Sequence, residues 1–326
     1  MRVPGLWRAL RTVPPFAPAY RRVTHRLVAF VQTLARVMCL SDVAALTGLG
    51  WDTVKDLVKA GLERDYGRPQ LKGLRHLSID EIYVGRKRKF YTLVIDLDTG
   101  RIVWVAHGKK GSCLKPFWRA LRKAKAKIQA VCCDLAAGYW SAVVENLPGV
   151  AVVFDRFHVM KLMNEKLDDL RRALWREAAG PLQQRVKGTR YLLLMRMDNV
   201  GEEQLPRLEA ALKANEPIFT TYVAKEMLGL IWEQPSKTKM ARFLKEWCET
   251  AAASGIGVLQ KMAKTVTSHA WGILSWWDHR INNGRMEGIN NKIKTLLRQA
   301  YGYRDERFFI LKLLGLHEAN FRLPGC

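Results

Sequence analysis

Hydrophobic spacing changes several times along this chain. From about Val23 to Val37 the apolar residues recur at helical intervals, and after residue 76 the period shortens to that of strands. Strands are predicted at HLSIDEIYV (76–84), FYTLVIDL (90–97) and RIVWVAHG (101–108), and the turns GRKRK and DTG between them favour antiparallel pairing. A helix is then predicted at LKPFWRALRKA, a strand at KIQAVCCDL, a helix at AAGYWSAVVENL and a strand at VAVVFD. The apolar run in KIQAVCCDL is typical of a strand buried on both faces.

A long helical region follows the strands. From His158 to about Gly255 few strand signals interrupt the helical pattern. One late helix comes after the turn NNG (282–284), in GRMEGINNKIKTLLRQAYGY (284–303). A mixed sheet followed by such a block predicts an α/β core with a helical insertion or second domain.

The segment SDVAALTGLGWDTVKDLVKAG (41–61) has helix-turn-helix spacing. Ser41 is expected to cap the first helix, Gly48 to supply the turn and Val54 to anchor the second helix, which opens at Trp51. An ordinary helical hairpin fits the segment equally well. If the segment binds DNA, its second helix supplies the contacts, with Trp51 and Thr53 near the groove and Lys55 and Lys59 at the backbone.

The charge balance favours a polyanionic partner. The 326 residues include 54 Lys and Arg against 30 Asp and Glu, which gives a formal charge of +24. Repulsion among these positive charges destabilises a compact chain unless a polyanion binds it. DNA is the first candidate for that partner, although a basic surface that contacts only solvent would give the same net charge. The six cysteines form no C-x-x-C pair, which disfavours structural zinc, and the lack of a signal peptide or a long apolar run predicts a cytoplasmic protein.

Three carboxylates are distinguished by their positions. Asp80 lies within the first strand between apolar residues, where an unpaired charge is costly to bury. Asp134 follows the apolar strand 128–133, so the two carboxylates converge if their strands are parallel neighbours. Glu287 lies in the late helix, and the long insertion before it adds little to the cost of loop closure. Carboxylates that share a crevice favour Mg²⁺, or Mn²⁺ as its substitute, and two such ions can cleave phosphodiesters.

The late helix has one polar and one apolar face. We expect its acid to bind metal and its amides and bases to bind DNA. Alternatively, Glu287 is an acid in the first turn that the helix dipole favours, and the helix taken alone supports this alternative better. The polar face carries Glu287, Asn290, Asn291, Lys294 and Arg298.

Several segments together resemble a known family. HLSIDEIYVGRKRKFYTLVIDLDTGRIV, CDLAAGYWSAV, VVFDRFHVMKLMNEKLDDLRR, KGTRYLLL and NNGRMEGINNKIKTLLRQAYGYRDERFF are similar, in that order, to the transposases of the ISL3 family of bacterial insertion sequences. The resemblance covers about residues 25–321. It implies an RNase H-like α/β core with an N-terminal helix-turn-helix and a large α-helical insertion before the last catalytic acid. The chain departs from the family in having no cysteine in residues 1–24, where such transposases commonly carry a zinc-binding region.

The resemblance also implies a function. Asp80, Asp134 and Glu287 correspond to the DDE triad, which uses Mg²⁺ to cut the ends of the element and to join the freed 3′ hydroxyl to target DNA. We expect a homo-oligomer on DNA, because two ends must be brought together, and a location at the bacterial nucleoid. Two rivals remain: a nuclease of the same fold without strand transfer, and a non-catalytic DNA-binding relic or repressor of the element.

Some further residues are candidates for accessory roles. Asp155 and His158 are expected beside the metals, with a helix cap and a packed histidine as the equally weighted alternative. Arg190, in KGTRY (187–191), is a candidate phosphate contact, against a solvated helix end. Trp276 and Trp277 are a candidate platform for an unpaired base, although such pairs are more often core.

The expected domain organisation has five parts. They are a basic Pro-rich arm (1–24), the helix-turn-helix domain (25–66), the first part of the core (67–157), the helical insertion (158–280) and the last part of the core with the glutamate helix (281–326).

Overall fold

The computed structural model describes residues 23–85, 89–177 and 187–316. The predicted basic arm (1–24) lies outside these ranges except for its last two residues, and so does the middle of the GRKRK turn. Within the described ranges, no helix has the length and apolar composition required to cross a membrane.

Five strands form one mixed sheet. In chain order they are β1 (His76–Val84), β2 (Lys89–Asp96), β3 (Arg101–His107), β4 (Ala130–Cys133) and β5 (Ala151–Phe154), and their order across the sheet is β3-β2-β1-β4-β5. β1 pairs antiparallel with β2 and parallel with β4, and β4 pairs parallel with β5. Every residue of β4 is buried, as its continuous apolar run predicted. The parallel pairing of β1 with β4 meets the condition set for Asp80 and Asp134.

The described helices of ordinary α type follow the predicted order. They are α1 (His25–Leu34), α2 (Leu40–Thr47), α3 (Trp51–Tyr66), α4 (Lys115–Ala124), α5 (Ala137–Asn146), α6 (Arg156–Glu177), α7 (Arg190–Leu194), α8 (Leu205–Lys213), α9 (Glu216–Gly229), α10 (Lys237–Ala253), α11 (Gly257–Ser268), α12 (Ala270–His279), α13 (Gly284–Gln299) and α14 (Glu306–Leu314). The mixed sheet, the N-terminal helix-turn-helix and the helical block before Glu287 confirm the predicted fold class.

The chain divides into two compact units. The first comprises residues up to Gln70, Arg101–Val105 and the residues from Ile289 onward, and the second comprises Leu71–Gly100 and Ala106–Gly288. The boundaries of the five predicted parts stay a prediction.

The first unit contains the helix-turn-helix. Gly48 ends α2 with a positive φ of 69°, which a residue without a Cβ adopts freely, and Val54 of α3 is fully buried. Ser41 is not the cap, contrary to the prediction, because α2 begins at Leu40, two residues earlier than a Ser41 cap requires, and the sulfur of Cys39 accepts the backbone N–H of Asp42. Helix α14 joins this core through Phe308, which packs with the buried residues of α1 to α3.

The second unit contains most of the sheet and the helical block. Gly272 lets α12 approach β5 closely, because a Cβ at that position would lie 2.4 Å from the ring of Phe154. The helical block has its own apolar core, formed by Leu167, Leu192, Leu193, Val200, Leu208, Leu212, Ile218 and Tyr222. The site described next lies entirely within the second unit.

Candidate active site and nucleic-acid contacts

Three carboxylates lie at one level of the sheet. The pairing of β1 with β4, continued by two residues, sets Asp80 opposite Asp134. The pairing of β4 with β5, continued by one residue, sets Asp134 opposite Asp155. Because the carboxyl ends of parallel strands meet at one edge, the order of the strands brings these acids from separate parts of the chain to a common crevice.

Burial and the charges of neighbouring side chains shift the pKa of Asp134. Burial raises the pKa of Asp134, and the negative charges of Asp80 and Glu81 raise it further. The charge of His158 and the backbone N–H of Ala136, which lies 3.1 Å from Oδ1, lower this pKa in part. Asp80 and His158 are therefore close enough to Asp134 for their charges to interact.

His158 lies among acidic side chains that raise its pKa. Burial alone would lower the pKa of His158, but the hydrogen bond to Asp155 and the negative charges of Asp155, Asp80 and Asp134 raise it above its ordinary value. The Nδ1 atom lies 3.2 Å from Oδ2 of Asp155. The imidazolium form is thus favoured beside the carboxylates. Asp155 and His158 both lie near Asp134, and their accessory roles stay predictions.

Asn283 is a residue that sequence reasoning missed. It is only 4% exposed. Its backbone N–H donates to Oδ1 of Asp155 at 3.0 Å, and its side-chain oxygen accepts the hydroxyl of Ser78 on β1. Its carbonyl accepts the backbone N–H of Glu287 at 3.1 Å, as the first turn of α13. Asn283 therefore ties the start of the glutamate helix to the strands that carry Asp80 and precede Asp155. The sequence signalled only a turn at NNG.

Glu287 itself is exposed, one helical turn after Asn283 and on the same side of the helix. The start of α13 is held further by Arg285, whose guanidinium donates to the carbonyls of Leu97 at 2.6 Å and Asp98 at 2.9 Å. In the part of the chain that the structure describes, no group of three or more His, Cys, Asp or Glu side chains is arranged to hold a metal ion. The convergence of Glu287 with the two aspartates stays a prediction.

The donor chemistry nevertheless suits a hard divalent cation. The crevice offers carboxylate oxygens from Asp80 and Asp134. Burial, together with the charges of Asp80 and Glu81, raises the pKa of Asp134, and a bound cation would relieve this cost of keeping the carboxylate charged. Oxygen donors of this type favour magnesium or manganese over softer metals.

The predicted DNA contacts of the helix-turn-helix lie on α3. Trp51 is 46% exposed and Thr53 is also exposed. The ammonium groups of Lys55 and Lys59 lie 3.3 Å and 2.8 Å from the same carboxylate oxygen of Asp305. Both lysines thus already have an acidic partner within the first unit, which the sequence did not indicate.

The other predicted contacts lie on α13 and α7. Arg190 lies 3.3 Å from the buried carboxylate of Asp168, which also pairs with Arg171 and Arg172. This arginine is half-exposed, so a part of it remains accessible. Along α13 the predicted amphipathic pattern holds: Met286 and Ile293 are buried, Asn290 is half-buried, and Asn291, Lys294 and Arg298 are exposed. Contact with DNA stays a prediction for all of these residues.

Comparison with known proteins gave consistent matches. A family profile described as "Transposase" matches residues 77–313, and one described as "Helix-turn-helix domain of transposase family ISL3" matches residues 12–61. The transposase for insertion sequence element IS1001 of Bordetella parapertussis is 33% identical over 309 residues, covering 93% of this chain and 76% of the relative. The transposase for insertion sequence element IS1557 of Mycobacterium tuberculosis is 29% identical over 338 residues, covering 95% and 76%. Among solved structures, the Drosophila P element transposase strand transfer complex matches with a TM-score of 0.47 and 12% identity, covering 93% of this chain and 94% of that one.

Proposed function

This chain belongs to transposase family ISL3, and we propose that it cuts the ends of an insertion sequence and joins the freed 3′ hydroxyls to target DNA through Asp80, Asp134 and Glu287. That it is a transposase, an enzyme of the DDE type, follows from its family and its relatives. The roles of the individual residues, the identity of the metal and the assembly are the content of the proposal.

The observation that carries the proposal is the alignment of Asp80 with Asp134 on neighbouring parallel strands. Two acids far apart in the sequence share one level, and the charge of Asp80 raises the pKa of Asp134. The tether of Asn283 to Ser78 and Asp155 supports the third position, because it fixes the start of the helix that carries Glu287.

The family uses divalent metal, and we propose Mg²⁺ in a two-ion site, with Mn²⁺ as its substitute. Asp80, Asp134 and Glu287 would hold the ions. When bound there, such ions activate the attacking oxygen and stabilise the leaving oxygen of a phosphodiester. The backbone N–H of Ala136, which donates to Asp134, orients one carboxylate for this task.

The neighbouring residues orient the site and its substrate. Asp155 accepts from the backbone of Asn283 and holds His158 by its imidazole. In its charged form His158 offers the remaining N–H to a phosphate oxygen close to the carboxylates. We assign both residues a positioning role.

We propose that the helix-turn-helix binds the ends of the element. Trp51 and Thr53 are exposed at the start of α3 and are suited to the groove, and Lys55 and Lys59 are suited to the backbone once a phosphate competes with Asp305. The matched helix-turn-helix profile supports DNA binding. We further propose that Arg190 and the polar face of α13 contact phosphates and that the protein assembles as a homo-oligomer on two ends. Because chromosomal DNA is the substrate, the activity is placed at the nucleoid in the bacterial cytoplasm.

A strand-transfer assay with pre-cut ends tests the proposal. Asp80→Asn should bind the ends at least as tightly as the wild type and should neither cleave nor join them. Glu145→Gln is the matched control, because it removes the charge of an exposed carboxylate near the end of α5, and it should retain both activities.

The assay also separates the rivals. Joining of pre-cut ends by the wild type excludes a purely hydrolytic nuclease, and dependence of cleavage on added divalent metal excludes a non-catalytic relic. If Asp80→Asn still joins strands, the assignment of the triad is wrong.

A further inference from the structure

A cavity of about 420 Å³ borders the carboxylate crevice in the second unit. Asp155, which accepts from Asn283 and lies level with Asp134, forms part of its wall. Asn282 and Gly284, on either side of Asn283, line it as well. If a phosphate of a DNA strand lay at the carboxylates, the neighbouring nucleotide of that strand would therefore lie next to this cavity. The volume lies within the range of about 300–1,000 Å³ of sites that enclose small organic groups.

Two aromatic side chains line the cavity. Phe157, the second residue of α6, is more than half exposed. Trp276 is half-buried, and the guanidinium of Arg280 lies 4.3 Å from the centre of its ring, which holds the indole in place. Two aromatic rings on one small cavity provide the flat surfaces on which a nucleobase stacks.

The polar part of the wall matches a nucleotide too. Arg156 and Arg196 both line the cavity and share the carboxylate of Glu233, which lies 3.6 Å and 3.3 Å from them, so each retains donors for a phosphate. The side-chain oxygen of Asn164 is buried and has no hydrogen-bond partner among the residues that the structure describes. Such an acceptor is costly to bury unless a ligand supplies a donor, for example the amino group of a base.

We propose that this cavity receives one base turned out of the DNA duplex beside the phosphodiester on which the carboxylates act. Trp276 and Phe157 stack on the base, Asn164 accepts from its edge, and Arg156 and Arg196 face its backbone. Removal of one base from the stack frees the strand to bend toward the carboxylates. The inference rests on the proposed function, since it needs the cut site to lie at those carboxylates.

The experiment measures binding of the full-length protein to duplexes of the element's terminal repeat, without divalent metal. In each duplex one nucleotide flanking the cut is replaced by an abasic residue. Trp276→Ala should weaken binding to the intact end by about 5- to 100-fold, the loss expected for one stacked base. At a single abasic position the wild type and the variant should bind equally, because there is no base to stack. Trp277→Ala is the matched control, since Trp277 also stacks on Arg280 but is not part of the cavity wall described above, and its effect should not depend on position.

A second measurement uses the wild-type protein alone and so does not depend on whether a variant folds. A mismatch at the extruded position should tighten binding by about fivefold or more, because an unpaired base costs less to turn out. An equal loss for Trp276→Ala on every duplex, or no loss at all, would overturn the inference, as would a mismatch effect that is the same at all positions. None of these results depends on cleavage. If Asp80→Asn remains active, it is the proposed function that fails.

Discussion

The contact between Ser78 and Asn283 provides a sharp test of how the glutamate helix is held. Both side chains are almost fully buried, at 0% and 4% exposure. Replacement of either partner by alanine leaves a buried polar group without its hydrogen bond, which costs about 1–3 kcal/mol. In the Ser78→Ala and Asn283→Ala double variant neither group is left behind, so the loss of unfolding free energy should fall short of the sum of the two single losses by about 1 kcal/mol.

The same contact should control activity more than stability. Ser78→Ala changes no proposed metal ligand, yet it releases the turn from which Glu287 starts. We expect single-turnover joining of pre-cut ends to fall by about tenfold or more in both single variants, while affinity for the ends in metal-free buffer stays within about twofold. Urea unfolding supplies the free energies.

The control for this cycle is Ser141→Ala. Its side chain is only partly buried, and its hydroxyl donates to the carbonyl of Ala137 within α5. It should change stability by less than about 0.5 kcal/mol and leave joining intact. If the Ser78 and Asn283 losses are fully additive, or if Asn283→Ala joins ends at the wild-type rate, the turn does not position Glu287.

Three further predictions follow from the charges. The pKa of Asp305 is lowered to about 2, mainly by the hydrogen bond from Lys59, then by the backbone N–H of Phe308 and by Lys55. The stability that Asp305 contributes is therefore fully present above its pKa in the unfolded chain, near 4, and is lost as pH falls toward 2. In urea titrations Asp305→Asn should remove that acid dependence and lower the free energy of unfolding at pH 7 by about 1 kcal/mol. The substitution should also tighten DNA binding, because it frees both lysines. Replacement of Asp168 by alanine should cost about 1–3 kcal/mol in urea unfolding, because it leaves arginines beside a buried site without their partner. Affinity for DNA ends should drop by about 10³–10⁵ between 50 and 200 mM salt if roughly 6–10 phosphates are engaged, and a flat salt response would refute the role assigned to the net charge.

The sheet was largely predictable, because its signal is local. Alternating residues in HLSIDEIYV and the apolar run around Cys132 gave β1 and β4 with nearly the observed bounds. Their parallel pairing, on which the approach of Asp80 to Asp134 depends, was only a condition in the sequence argument, and the structure meets it.

Long-range partners were not predictable, because no local pattern encodes them. Asn283 reaches Ser78 across 205 positions and Lys59 reaches Asp305 across 246. Asn283 in its turn and Asp305 before its helix would have the same neighbours in the sequence whether or not a distant residue contacted them. The prediction of the α2 cap was also wrong, because the sulfur of Cys39, and not the hydroxyl of Ser41, accepts the backbone N–H at the start of the helix.

Direct measurement of Mn²⁺ binding tests the central claim that three acids share cations. The ion would be titrated by electron paramagnetic resonance into full-length protein on a pre-cut end, for Asp80→Asn, Asp134→Asn, Glu287→Gln and the control Glu145→Gln. Each of the first three should weaken Mn²⁺ binding by about tenfold or more, and the control should match the wild type. Wild-type affinity in Glu287→Gln would show that the late glutamate does not complete the site, and wild-type affinity in all three would show that these acids hold no metal.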